Sequence, residues 1–146
     1  MSKSNAFEQA WQQHVFLNAA LAGIGDASGL QPAAVAGNLY AAFHATDPGE
    51  GGGQTTGEIA YNGYARQPIP RTAPYWDVTS GIATLLQDIP FPVGGAGASG
   101  TAPYFSIGTS VSGAGMILYS GPVNIAAVFG EARQPVLKAG TTCSED

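Results

Sequence analysis

Two histidines, ten carboxylates and one cysteine are the residues from which this 146-residue chain could build a reactive site. His44, Asp47 and Glu50 recur every three residues, so their side chains could converge on one cation, with the carboxylates supplying hard oxygen ligands. The same stretch contains Asp47-Pro48-Gly49, a turn sequence in which Pro fixes φ, Gly accepts positive φ and Asp bonds the backbone ahead. The turn is preferred, and no metal site is assigned.

A Ser-His-Asp triad would have to use His14 or His44, and the sequence lacks G-x-S-x-G. Cys143 has no second cysteine to pair with, which excludes an internal disulfide and a cysteine-based metal site. A glycosidase pair could be drawn from any of the acids, so that argument discriminates nothing. The Gly-rich segments 48–53 and 94–100 are followed by neither a helical pattern nor a lysine, so neither reads as a phosphate cradle. No catalytic residue and no cofactor is expected.

The elements that would position these groups begin with a helix over residues 5–22. Asn5 and Glu8 have capping-box spacing, and Phe7, Trp11 and Val15, widened by Ala10, Leu17 and Leu21, form an apolar stripe opposite Gln9, Gln12, Gln13 and Asn18. That stripe is expected to pack on the chain's own core or to serve as an arm on a neighbouring subunit. After Gly23 the chain reads as about eight short strands, near 38–45, 58–67, 74–79, 82–89, 103–109, 115–120, 123–129 and 134–138. In the first, Leu39, Ala41 and Phe43 oppose Tyr40, Ala42 and His44, and Asn62-Gly63 interrupts the second as a bulge or tight turn. Strands without intervening helices predict a mainly β fold: a jelly-roll-like two-sheet β-sandwich over 38–138 with one N-terminal helix, in a single domain spanning 1–146.

Composition points to where such a fold lives. Only 10% of residues are charged, against roughly 25% in an ordinary soluble domain, with a formal net charge of -5. Few ionised side chains remain to solvate the exterior, which favours a subunit covered by neighbours, and the acidic balance disfavours nucleic acid. The apolar runs are too short for a membrane span, and the polar N-terminal segment carries no secretory pattern, so synthesis in a cytoplasm is expected. Pro74-Tyr75-Trp76-Asp77 and Pro103-Tyr104-Phe105 place adjacent rings on opposite faces of extended segments. An outward ring there is expected to anchor an interface, with a simply covered surface residue as the near alternative and a sugar platform as the lesser one. Phe7, Trp11, Tyr64, Arg66, Tyr75, Trp76 and Tyr104 are the candidate interface residues. Arg66, beside Tyr64, would fork to a carboxylate on a neighbour or lock a strand end, with a salt bridge inside its own domain as the alternative.

The stretch Leu39-Tyr40-Ala41-Ala42-Phe43-His44-Ala45-Thr46-Asp47-Pro48-Gly49-Glu50, followed by Gly63-Tyr64-Ala65-Arg66-Gln67, resembles a family of small tailed-bacteriophage virion proteins, often labelled tail-fibre-like. Ile89-Pro90-Phe91-Pro92, Tyr104-Phe105-Ser106-Ile107-Gly108 and Ile117-Leu118-Tyr119-Ser120-Gly121-Pro122-Val123 extend the likeness to roughly residues 5–125. The resemblance implies a non-enzymatic β-sandwich subunit of a phage particle, made in the host cytoplasm, with no catalytic residues to carry over. Gln67-Pro68-Ile69-Pro70 departs from the pattern and is expected to break the strand after Arg66. Low charge and Gly loops that permit close approach favour a capsid decoration protein that binds the major capsid protein and copies of itself as a symmetric dimer or trimer. A tail-fibre or tail-tip module is the alternative, and a small glycan-binding or hydrolytic domain ranks below it.

Overall fold

The computed structural model describes residues 2–145. The chain is mainly β, with one helix and antiparallel sheets, as the β-sandwich expectation required. Its contacts gather into two compact units, each drawing on separated segments.

The first unit comprises the described residues of Met1–Asn38, Pro70–Gln87 and Ala139–Asp146. It holds α1 (Asn5–Leu17) and a sheet of β3 (Trp76–Thr79), β4 (Ile82–Leu85) and β9 (Thr142–Ser144), in the order β3-β4-β9. Thr79 pairs with Ile82, so Ser80 and Gly81, both at positive φ, form the two-residue turn whose twist suits a hairpin. The short β9, with no expected counterpart, adds Cys143 opposite Ala83.

The helix begins at Asn5 as expected, but its cap is the residue before. Ser4 is the N-cap, accepting from the Phe7 amide at 3.3 Å, and the left-handed Asn18 ends the helix at Leu17 instead of residue 22. The Asn18 side chain then donates to the Ala33 carbonyl and accepts from the Ala33 amide, fastening the following loop to the helix end. Arg71 closes the same end, donating to the carbonyls of Val15 and His14 at 2.6 Å and of Ala36 at 3.2 Å. Its charge lies against the negative pole of the helix dipole and satisfies carbonyls without an intrahelical partner.

The buried face of α1 is not the expected one. Gln12 and Phe16 are fully buried, whereas Phe7 is exposed and Trp11 and Val15 are half-buried. Phe16 packs on Trp76 at a centroid distance of 4.5 Å, and Gln9 grips the hairpin by donating to Val78 O and accepting from Gly81 N. These contacts turn Phe16 inward, and Gln12, one turn before it, follows.

The second unit comprises Leu39–Ile69 and Asp88–Lys138. Its main sheet runs β2 (Gln67–Pro70), β1 (Asn38–His44), β6 (Ser99–Gly108), β7 (Ile117–Gly130), and a two-stranded sheet joins β5 (Ile89–Pro90) to β8 (Val136–Leu137). The expected strand at 58–67 is instead irregular chain with a turn at Asn62-Gly63, and the proline segment expected to break pairing is itself β2. An edge strand tolerates proline because one side of its backbone needs no donor. Residues 115–120 and 123–129, expected as two strands, merge into β7. Central β1 is buried on both faces from Ala41 to His44, and residues 45–59 fold back beside it: Ala45 donates to Gly57 O and Ile59 to Phe43 O. Phe43, Phe91, Tyr64, Tyr61 and Phe129 form a continuous aromatic cluster.

Candidate functional site

The second unit concentrates its polar side chains around β1 and the chain folded over it. Arg66 is buried and forks to Glu58, with Nε to Oε1 and Nη2 to Oε2 both at 2.7 Å. Further donors of the same side chain reach the carbonyls of Ser110 at 3.0 Å and Gly113 at 2.8 Å, fixing the loop between β6 and β7 at two points. Hydrogen bonding to Glu58 holds the guanidinium pKa above its usual value despite burial. The Tyr64 hydroxyl donates to Glu58 Oε1 at 3.0 Å and accepts from the Phe43 amide at 3.2 Å. Burial is the main cause that raises its pKa, with the nearby carboxylate adding to it.

His44 and Ser106 form a second cluster. A carbonyl can only accept, so His44 Nδ1 carries the proton that it donates to Thr56 O at 2.8 Å. Nε2 of the neutral ring then accepts from the Ser106 hydroxyl at 2.8 Å. Desolvation is the largest effect on the imidazole and lowers its pKa, outweighing the Thr56 bond and the Glu58 charge, which act the other way. The pair has the contact of a nucleophile and its base, but both residues are fully buried and the orienting group is a backbone carbonyl, not a carboxylate. In this arrangement the hydroxyl serves the fold.

Gln54, also fully buried, completes the polar interior. Its Oε1 accepts from the Ser110 amide at 2.8 Å, and its amide lies so close to Gly108 and Gly115 that a Cβ on either would come within 2.2 Å of it. Both glycines are required by close approach.

The candidate cation ligands do not converge. The ring nitrogens of His44 face Thr56 and Ser106, and Asp47 Oδ1 accepts from the Gly49 amide at 2.9 Å as the turn sequence predicts. Among the described residues no three His, Cys, Asp or Glu side chains gather where they could share a metal.

Of the candidate interface residues, Arg66 and Trp76 lie inside their own units, and Arg66 forms the salt bridge within its own unit, to Glu58. Tyr64 is half-buried and joined to Arg66 through Glu58. Phe7 and Trp11 stack at 6.4 Å, and Trp11 and His14 at 6.2 Å, forming an aromatic ladder on the helix face away from Gln12 and Phe16. Tyr75 and Tyr104 are half-buried beside buried Trp76 and Phe105, so in each pair one ring is more deeply covered than the other. Glu58, Gln54 and Ser106 went unrecognised because nothing in their local sequence marks a polar partner. Only the pairing of Ala42 with Ser106 and the folded-back segment bring them together.

The fold defines a class: a mainly β protein in which Arg66, His44, Ser106 and Gln54 make their hydrogen bonds within the second unit. The chain belongs to the phage virion family described as Podophage GP4 fiber I protein gp80, whose model matches residues 2–142. No curated protein matches it. At the level of a phage virion protein, the family agrees with the resemblance read from the sequence.

Proposed function

We propose that this chain is a non-enzymatic subunit of a phage fibre, with copies of itself as its first partners. The family match over residues 2–142 carries this reading, because the family is described by a fibre protein. The burial of His44, Ser106 and Arg66, with Arg66 paired to half-buried Glu58, supports a structural role for the groups best suited to chemistry. Phe7, Trp11, Tyr75 and Tyr104 retain exposed or half-buried rings suited to contacts with neighbouring subunits.

Capsid decoration, with the major capsid protein as partner, is the second reading. The low charge content favours it, since cement proteins are covered on several sides. Purified particles labelled with an antibody to the chain separate the two. Label on projecting fibres is the expected result, label over the shell would favour decoration, and its absence from particles would refute both.

A further inference from the structure

The four-stranded sheet of the second unit ends in two very different edges. At one end β2 has four residues, two of which, Pro68 and Pro70, have no amide hydrogen to offer another strand. At the other end β7 runs for 14 residues, Ile117–Gly130, without a charged side chain, in a chain of net charge -5. Soluble proteins guard long edges with charge, proline or bulges. β7 has Pro122 and two bulges, a small one at Leu118 and a larger one that presents an apolar side chain. Between the pairs Ala102 with Ala127 and Tyr104 with Pro122, the single β6 residue Pro103 faces Val123–Ala126, and Ile125 in that projection is 87% exposed. Val128 beyond it is 46% exposed.

We propose that β7 is a self-association edge, and that its occupant is β7 of a second copy paired antiparallel about a two-fold axis. Head-to-tail pairing of β7 on β2 would require donors that the two prolines lack, which leaves the uncharged edge as its own complement. Pairing two neutral strands also opposes no like charges along the ladder, although each chain is acidic. A two-fold contact of this kind closes on itself and does not propagate. The proposal deepens the self-partner part of the fibre reading and is independent of where the chain sits in the particle.

The test uses the full chain in solution. Sedimentation across a wide concentration range is expected to show a species of twice the 14.8 kDa chain mass. Ile125→Lys with Val128→Lys is expected to raise its dissociation constant at least tenfold, and circular dichroism checks that the variant stays folded. Hydrogen exchange of the unmodified protein supplies a readout that needs no variant: amides in 117–130 gain protection as concentration rises, and those of 67–70 do not. A single-chain mass at every concentration, a trimer, association unchanged in the folded variant, or protection arising elsewhere would each overturn the proposal. Failure of the fibre reading shows itself separately, as absence of the chain from particles.

Discussion

Arg66 holds both oxygens of Glu58 at 2.7 Å while also donating to Ser110 and Gly113, so the ion pair spans four points of the second unit. The guanidinium side chain is only 2% exposed and the carboxylate 15%, which makes the pair expensive to break from one side. Glu58→Gln is expected to lower unfolding free energy by about 3–5 kcal/mol, the usual cost of leaving a buried charge uncompensated. Tyr64→Phe, which removes one hydrogen-bonding hydroxyl, should lose about 1–2 kcal/mol. Urea denaturation of the three proteins orders them.

Stability should fall on mild acidification. His44 has a folded pKa below its ordinary value of 6.5, so the unfolded chain takes up the proton first. The stabilising preference for the neutral ring is therefore fully present above 6.5 and is lost as pH falls through 6.5 toward the folded value. Melting between pH 7.5 and 5.5 should show the decline, and His44→Gln should flatten it even though the variant is weaker at every pH. An equally steep slope in the variant would assign the acid sensitivity to other groups.

Gly108→Ala should destabilise the fold by about 1–3 kcal/mol through overpacking, because its new methyl would meet the Gln54 side chain. Gln54→Ala opens that space but strands the Ser110 amide. The double variant is expected to be more stable than the sum of the single losses, and a double-mutant cycle in urea measures the coupling.

Cys143 should be inert in the folded chain. Burial pushes its thiol pKa up to about 12, and β9 pairs it with Ala83 beside the β3–β4 hairpin. Reaction with a chromogenic disulfide reagent is expected to track unfolding in urea. Rapid labelling in buffer would show that β9 detaches readily.

Much of the strand layout was legible because local chemistry and tertiary demand agree there. Residues 38–45 and 74–85 carry β-forming runs with turn residues between them, and the observed β1, β3 and β4 fall within them. Sequence fails where two local choices compete. The helix offers a Phe7–Trp11–Val15 stripe and a Gln9–Gln12–Phe16 face, and the grip of Gln9 on the hairpin together with the Phe16–Trp76 contact selects the second. Proline likewise reads as a strand breaker until topology places Gln67–Pro70 at an edge. The buried network was half visible: Arg66 was recognisable as a forked donor, but its acceptor Glu58 is brought to it by a turn at Asn62-Gly63 where a continuous strand was expected.

The central claim is that the chain is a structural part of a phage fibre, and imaging of purified infectious particles at a resolution that traces the fold tests it most directly. The account predicts density matching this mainly β chain within a projecting fibre, in several copies. Infectious particles complete in every appendage and containing no copy of the chain would contradict it.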